Sequence, residues 1–418
     1  MFDFGFDTLV TLNPIHMYQP GVIMKFFDTI TRSFLLLMVV LMGAPALLAP
    51  APVFADEDDD DGFQFGGAVR YNIIRTNYES DPTALSTAFT WDTWRLNIDG
   101  STAGVDLSFE YRFYPTFGTH FIHHGYLGYA FNDNLYGKLG VFQKPFGITT
   151  YASHSWWFQG PYYVGLEDDY DMGIGLSYSP TGQLTIEGAY YRQAEPEGPV
   201  FGGDVTFGNA GAGRYSYDVV PSEGANLREL NTFNAQVAYD VVKGVEIGAS
   251  AQVGQLYNAV LEEAETATAF AGHLNATAGP FNLKAEYITY DYQARDNDGE
   301  MLDIITMGAY GFPYPVAAEA QLYVGGVAWS FPVEWGPISN IQAYVDYTLI
   351  DKANESFYDT HHMVPGFLIT AGSIYTYVDL AMGKNQPWLT DSFGLGLGEG
   401  VEDPDWNTRF NINIGYYF

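Results

Sequence analysis

Apolar and polar side chains alternate along the last thirteen residues of the chain, from Trp406 to Phe418. The even positions form an apolar row that only Thr408 interrupts: Trp406, Phe410, Ile412, Ile414, Tyr416 and Phe418. The odd positions are mostly polar: Asn407, Arg409, Asn411 and Asn413, then Gly415 and Tyr417. A repeat of two residues places each set on its own face of a β-strand. Aromatic residues at both ends of the apolar row are typical of a strand that crosses a bilayer between two interfacial belts.

The same alternation recurs upstream, in segments separated by turn-rich or acidic stretches. The clearest apolar rows on one face are Phe63, Phe65, Val69, Tyr71 and Ile73, then Trp94, Leu96 and Ile98, then Val105, Leu107, Phe109, Tyr111 and Phe113. Short turns, such as 132–134 and 279–280, alternate with long connections, such as 145–169 and 194–230. Membrane-spanning barrels carry short turns at one end and long loops at the other.

The pattern predicts an all-β fold, a transmembrane antiparallel β-barrel over residues 63–418. We expect sixteen strands, and fourteen or eighteen also fit, because strand signals in barrels are individually weak. The final third has two assignments. In the preferred one, 302–318 is an extracellular loop, Glu319–Phe331 and Ile338–Ile350 are strands, and every long connection lies on one side. In the other, Leu302–Gly311 is a barrel strand.

The strand arginines indicate which face is the lumen. An arginine on the lipid face near the bilayer midplane costs about 2–4 kcal/mol. The alternation already places four of them on the wet face: Arg70, Arg95, Arg112 and Arg409. Their strands are the first three and the last, which become neighbours when the barrel closes. We therefore expect a basic strip on one lumen wall, which Lys138 extends.

Composition agrees with half-polar strands that end in aromatic residues. Aromatic residues make up 17% of the 418 residues and charged residues 16%, and there are 46 glycines. The net charge of −33 excludes nucleic acid as a favoured partner. The chain has no cysteine, so disulfides and thiolate metal sites are excluded. Beyond the amino-terminal segment, no apolar run reaches the length of a membrane-spanning helix.

The amino-terminal segment has the features of a signal peptide. Lys25 and Arg32 precede an apolar run, and Ala55 ends a stretch that fits signal-peptidase cleavage. We therefore expect translation to start at Met24 and residues 1–55 to be an upstream extension plus the signal peptide. The alternative is an uncleaved anchor, which the prolines of the run disfavour. Cleavage leaves 15 basic and 47 acidic residues, a charge of −32. An acidic segment, 56–62, then forms a solvated periplasmic amino terminus.

The strand Trp406–Phe418 resembles the last strand of Gram-negative outer-membrane barrels. In those proteins the terminal Phe belongs to a signal that the barrel-assembly machinery reads, and the resemblance gives that role to Phe418 and Tyr416. It implies a location in the outer membrane of a Gram-negative bacterium, in contact with lipid. Porins of this size often form trimers, so the resemblance also implies a homotrimer.

A second resemblance covers the eleven residues Gly137–Gly147, GKLGVFQKPFG. The segment is similar to the strand-into-loop region of the phosphate-selective porin O and P family, in which the loop folds into the lumen and narrows it. The resemblance implies that the connection after the fifth strand is the constriction. This chain departs from the family, because only 15 basic residues remain after cleavage, and a phosphate filter needs fixed positive charge.

Acidic residues instead mark the predicted constriction. Our candidate residues there are Lys144, Glu167, Asp168, Asp169 and Asp171. Set opposite the arginine strip, the acids would create a transverse field, and their excess should favour cations among small hydrophilic solutes and ions. The alternative is a solvated loop that faces outward. A structural or adhesion barrel with little conductance is the alternative function.

No catalytic residue, cofactor or metal site is predicted. His123–His124 and His361–His362 are adjacent pairs, and neighbours on a strand point to opposite faces, so neither pair offers two ligands to one metal. Ser153–His154 are neighbours in sequence, which is no evidence for a nucleophile and its base. We therefore expect a channel and no enzyme.

Overall fold

The computed structural model describes residues 62–79, 87–149, 151–198, 205–390 and 393–418. The predicted signal peptide and residues 56–61 of the acidic segment lie outside the described residues, and Gly62 already belongs to the first strand. Within the described ranges, no helix is long and apolar enough to cross a membrane.

Nineteen strands form in the described residues, and sixteen of them close into one antiparallel barrel. The barrel strands are β1 Gly62–Thr76, β2 Ala88–Thr102, β3 Val105–Tyr114, β4 Thr119–Asn132, β5 Leu135–Gln143, β6 Tyr170–Thr181, β7 Leu184–Ala194, β9 Leu227–Val242, β10 Val245–Asn258, β11 Glu263–Ala278, β12 Phe281–Tyr292, β15 Glu319–Trp335, β16 Ile338–Lys352, β17 Thr360–Ala371, β18 Ile374–Lys384 and β19 Asn407–Tyr417. Consecutive barrel strands pair with each other, and the prediction of sixteen strands is confirmed.

The assignment preferred for the final third is also confirmed. Residues 302–318 lie outside the barrel wall and contain β13 Ile304–Ala309 and β14 Phe312–Ala317. These two strands form a small sheet with β8 Asp218–Val219. Leu302–Gly311 is therefore not a barrel strand. Two-residue turns join the strands at one end, and all the long connections lie at the other.

Backbone hydrogen bonds between β1 and β19 close the barrel. The Gly67 amide donates to the Phe418 carbonyl at 2.9 Å, and the Phe418 amide donates back to Gly67 at 3.1 Å. On its other side, a Cβ on Gly67 would lie 2.3 Å from the Arg95 carbonyl oxygen, so β1 and β2 can approach this closely only at a glycine.

The two faces of β19 differ as the alternation predicts. Phe410, Tyr416 and Phe418 are 40%, 53% and 63% exposed, whereas Asn411 and Asn413 are 0% and 1% exposed. The Asn413 amide donates to Asn72 across the strand pair at 2.8 Å. An apolar outside and a hydrogen-bonded inside are what a barrel needs when its exterior contacts lipid.

Long loops pack into a tyrosine-rich core at their end of the barrel. Its centre includes the short helix α1, Gly160–Tyr163. We call the following set the loop core: Tyr162, Tyr163, Tyr215, Tyr217, Tyr310, Tyr314 and Trp388. The hydroxyls of Tyr162 and Tyr310 are hydrogen-bonded to each other, and the Trp388 indole donates to Tyr217 at 2.7 Å. Tyrosine suits this place because its ring packs while its hydroxyl finds a partner.

Candidate functional site

The connection between β5 and β6, residues 144–169, crosses to the opposite wall of the barrel; we call it the crossing loop. Its Gly147 amide donates to Ser250 on β10 at 3.0 Å, and its Gly160 amide donates to Thr348 on β16 at 3.1 Å. In the order of strands around the barrel, β16 lies eight positions from β5 in either direction, which is diametrically opposite. The loop therefore spans the lumen.

Asp346 on β16 holds the middle of the crossing loop. Its carboxylate accepts hydrogen bonds from the backbone amides of His154 at 2.7 Å and Ser155 at 3.0 Å. The His154 Nδ1 lies 2.6 Å from Asp346 Oδ1, and its Nε2 lies 2.6 Å from Asn282 Oδ1. Both ring nitrogens of His154 are thus engaged, so the ring is not positioned as a base for Ser153.

The acids predicted to line the constriction are buried. Glu167, Asp168, Asp169 and Asp171 are 5%, 4%, 4% and 0% exposed. Asp168 accepts hydrogen bonds from the hydroxyls of Tyr215 at 2.5 Å and Tyr170 at 3.0 Å. The Arg112 guanidinium lies 4.6 Å from the centre of the Tyr215 ring. Asp168 is therefore linked to Arg112 through the Tyr215 ring, and the acids form neither an exposed acidic face nor an outward-facing solvated loop.

Lys144 and two of these acids fasten the base of the crossing loop. The Lys144 ammonium lies 2.6 Å from Asp169 and 2.7 Å from Asp171. Burial alone would lower the pKa of Lys144, but the carboxylates around it outweigh burial and raise that pKa well above its ordinary value. Burial raises the pKa of Asp169 well above the usual range for an aspartate. The ion pair between Lys144 and Asp169 joins the first and last residues of the crossing loop.

The four predicted arginines lie on the neighbouring strands β19, β1, β2 and β3. We call this set the arginine wall: Arg70, Arg95, Arg112 and Arg409. Arg70 pairs with Asp92 at 2.6 Å. Glu110 accepts from Arg112 and lies 3.8 Å from Arg95. The wall therefore alternates in charge and is not simply basic.

The other two predicted basic groups rest on aromatic rings. Arg409 donates to Asn411 at 3.0 Å, and its guanidinium lies 5.1 Å from the Trp157 ring of the crossing loop. Lys138, on β5, lies 5.3 Å from the Tyr126 ring, and β4 separates its strand from that of Arg112. Arginine and lysine cations are attracted to the faces of aromatic rings.

The alternation from Trp94 to Asp99, continued backwards along β2, predicts that Asp92 faces lipid, whereas in the structure Asp92 faces the lumen. Trp94 and Asp92 are both even positions, and Trp94 is exposed while Asp92 is 6% exposed. The register slips here, because Val69 pairs with Trp94 whereas Tyr71 pairs with Trp91. This β-bulge reverses the inward and outward positions along β2, which a strict period of two cannot show.

The expectation that His123 and His124 point to opposite faces is wrong. Their Nδ1 atoms lie 2.9 Å apart. Glu110 pairs with His124 and Tyr111 pairs with Ile122, so His123 is the extra residue of a β-bulge, and both rings turn inward. His361 and His362 do differ, since His361 contacts the exposed Tyr347 hydroxyl at 2.8 Å while His362 is 2% exposed.

A polar cavity of about 430 Å³ lies beside the crossing loop, towards the short-turn end. The β11–β12 turn, at Gly279 and Pro280, forms part of its wall. The polar lining side chains are Ser153, His154, Asn275, Thr277, Asn282, Lys284, Ser330 and Gln342. Hydroxyl and amide groups of this kind can hydrogen-bond water and small polar solutes.

No protein-family model and no curated protein matches the chain. Solved structures of Gram-negative outer-membrane porins and channels share its fold. The anion-selective porin from Comamonas acidovorans has 14% identity and a TM-score of 0.53, and the match covers 86% of this chain and 100% of that one. Salmonella typhi OmpF, in complex with daunomycin, has 11% identity and a TM-score of 0.57, with 87% and 99% covered. The channel DcaP of Acinetobacter baumannii has 11% identity and a TM-score of 0.52, with the same coverage. These likenesses show the fold and do not single out the phosphate-selective porins.

Proposed function

We propose that the chain is a passive outer-membrane porin for small hydrophilic solutes or ions, located in the outer membrane of a Gram-negative bacterium. A closed sixteen-stranded barrel with an apolar exterior and a polar lumen supports membrane insertion. The likeness to outer-membrane porins supports the channel function.

The crossing loop is the proposed constriction. The observation that carries this proposal is the attachment of the loop to β16, diametrically opposite its own strand β5. An empty barrel of sixteen strands encloses a wide aqueous channel. A loop held across that lumen leaves a narrower path, so the channel should conduct less than an open barrel of equal strand number.

The arginine wall supplies the accessible charge at the level of the crossing loop, because the loop acids are buried. Two arginines of this wall pair with Glu110. The Arg95 side chain is 19% exposed, whereas the Arg112 side chain is 4% exposed. We infer that Arg95 meets passing solutes and that Arg112 mainly orients Glu110 and Tyr215. The predicted constriction acids are buried and hold the crossing loop in place. Among them, Asp168 is linked to the arginine wall through its hydrogen bond with Tyr215.

A preference for cations rests on the overall charge. The chain carries 50 acidic and 17 basic residues. Loop acids such as Glu262, Glu355 and Glu402 are exposed, so they concentrate cations near the long-loop mouth. The porin from Comamonas acidovorans is described as anion-selective, which is a property of that protein. For this chain, the sign of the selectivity is to be decided by the reversal potential in a salt gradient.

The alternative function is a structural or adhesion barrel with little conductance, and the loop core is the feature that such a barrel would use to close its long-loop end. The tyrosines of the loop core are 8% exposed or less and come from several different loops, so they fill space at the long-loop end. The polar cavity on the short-turn side is the observation that favours transport, since a purely structural barrel has no need of a polar cavity inside its wall.

The proposed partners follow from the same barrel. Lipid covers the exposed apolar face, and the barrel-assembly machinery reads β19 through Phe418 and Tyr416. We propose a homotrimer, and a structure of Vibrio cholerae OmpT that is described as a trimer form provides a precedent in a barrel of similar fold. No nucleic acid, cofactor or catalytic step is part of the proposal.

Planar-bilayer recording of the refolded protein tests the proposal. Discrete conductance steps are expected, with a reversal potential in a salt gradient that shows cation preference. A membrane that stays silent after insertion supports the structural barrel instead. Anion preference would leave the channel in place and overturn only the proposed selectivity.

A further inference from the structure

Four carboxylates converge at the base of the crossing loop. Asp169 and Asp171 flank the start of β6, Glu195 follows β7, and Asp218 lies on the loop strand β8. We call these four residues the carboxylate cluster. Each offers one oxygen, and these oxygens all lie within 4.8 Å of one another. The cluster therefore joins the ends of neighbouring barrel strands to the small sheet of the long loops.

The cluster has more negative charge than its neighbours neutralise. Lys144 pairs with Asp169 and Asp171, and Arg214 lies 3.8 Å from Asp218. In their ionised forms, four carboxylates against two cations carry a net charge of −2, and Glu229, 3.6 Å from Lys144, is a further acid beside them. All four members are 4% exposed or less. Uncompensated charge in a site from which water is excluded is strongly unfavourable.

Several buried oxygens of the cluster lack a hydrogen-bond donor. Counting partners within the described part of the chain, neither oxygen of Asp218 accepts a hydrogen bond, although Asp218 is 0% exposed. Glu195 uses Oε1 to accept from the amides of Tyr215 at 2.6 Å and Ser216 at 2.9 Å, which leaves Oε2 without a donor. Native proteins rarely bury acceptors without partners, so these oxygens point to a bound group of positive charge.

We propose that Asp169, Asp171, Glu195 and Asp218 bind one divalent cation, calcium, which fastens the base of the crossing loop to the long-loop sheet. Calcium takes oxygen ligands at about 2.3–2.6 Å, so ligands on opposite sides of the ion lie up to about 5 Å apart. The cluster oxygens, all within 4.8 Å of one another, are close enough to share one such ion. Magnesium binds at about 2.0–2.1 Å and keeps several waters, which suits a buried all-protein site less well. A charge of +2 also offsets the excess of the four acids.

The second group of metal-binding side chains in the lumen fits a cation less well. Glu110, His123 and His124 also converge. However, Glu110 already accepts from Arg112 and lies beside Arg95, so two guanidinium groups would repel a metal ion there. In the carboxylate cluster, by contrast, the carboxylates outnumber the neighbouring cations, Lys144 and Arg214.

Terbium(III) luminescence of the refolded, chelator-treated protein tests the site, because terbium shares the oxygen preference of calcium and emits when nearby tyrosines are excited. Tyr170 lies between two ligands in sequence. We expect one saturable emission phase that calcium displaces and sodium does not. Asp218→Asn should weaken terbium binding about tenfold or more, since affinity at such sites follows the number of charged ligands.

Glu402→Gln/Asp403→Asn is the matched control, because it removes two exposed loop carboxylates. It should keep the saturable phase. Asp218→Asn removes no hydrogen bond that Asp218 accepts from the described residues, so its barrel should still fold and show heat-modifiable migration in gels. Calcium should raise the melting temperature of the wild type and not that of Asp218→Asn. No saturable emission in the wild type, or an equal phase in Asp218→Asn, would overturn the proposal without touching the channel function.

Discussion

The His154 Nδ1 lies 2.6 Å from Asp346 Oδ1, which joins the middle of the crossing loop to the strand opposite its origin. Asp346 is 0% exposed and also accepts two backbone amides of the loop. Hydrogen bonds to a charged acceptor contribute about 1.5–3 kcal/mol each. One carboxylate thus holds a loop whose position determines how much of the lumen stays free.

Removing that carboxylate should release the loop. Asp346→Ala is expected to give larger single-channel steps and more open-channel noise in planar bilayers, because three loop hydrogen bonds lose their acceptor. Asp351→Ala, on the same strand at an exposed position, is the control and should conduct as the wild type does. Equal conductance in all three proteins would mean that the loop does not set the width of the pore.

Charge at the arginine wall should influence ion selectivity. Arg95→Glu places a negative charge at the more exposed of the two arginines beside Glu110, so the reversal potential should move towards stronger cation preference. Lys243→Glu changes the charge by the same amount in an exposed short turn, outside the lumen, and serves as control. A shift of the same size in both variants would place Arg95 away from the narrow part.

The packing of the crossing loop should depend on pH through Glu167. Burial, together with the neighbouring Glu286 carboxylate, raises the pKa of Glu167 well above its ordinary value of 4.5. The folded state therefore holds a proton that the unfolded state releases more readily, and its stabilising effect is complete below pH 4.5 and is lost as pH rises through the folded pKa.

This dependence is tested by measuring the melting temperature and the channel noise from pH 4.5 upwards. In the wild type the loop should loosen as pH rises, and Glu167→Gln should remove that part of the pH dependence because glutamine stays neutral. Asp133→Asn, in an exposed turn, is the control. An unchanged pH profile in Glu167→Gln would show that Glu167 is not the group responsible.

The terminal residue should matter for assembly in cells. Phe418→Ala is expected to lower the amount of heat-modifiable barrel in the outer membrane while the purified chain still refolds in detergent. Phe281→Ala removes an aromatic ring of comparable exposure, 50% against 63%, from a lipid-facing position at the same end. It should assemble normally. Equal defects in both variants would indicate lost lipid contact and not a lost signal.

The sequence predicts the barrel well because membrane insertion constrains every strand in the same way. An arginine in lipid is costly, so alternation alone assigns the inward face of β1, β3 and β19. The inward positions of Arg70, Arg112 and Arg409 in the structure agree with that physical rule. The predicted turn at 279–280 likewise follows from local chemistry, since Gly279 has a φ of 60°, which suits glycine.

The interior of the site is less predictable because it depends on contacts between distant segments. The β-bulges at Asp92 and His123 reverse the alternation, and no residue type near them predicts a bulge. Burial of Asp168 requires Tyr215 from another loop. The sequence predicts only a long loop at 194–230. In the structure, a two-residue strand within this connection brings Asp218 into the carboxylate cluster. Such pairings are set by the closed fold and not by neighbours in sequence.

The channel function is tested most directly by asking whether ions pass through this lumen. The chain has no cysteine, so one introduced thiol reports a single position. Gln342→Cys lies on the wall of the 430 Å³ cavity, and Val345→Cys, on the same strand, is 38% exposed on the lipid face. A charged, water-soluble thiol reagent should reduce the conductance of Gln342→Cys in discrete steps and leave Val345→Cys unchanged. Channels of Gln342→Cys that conduct equally before and after complete modification would contradict a pathway through the lumen.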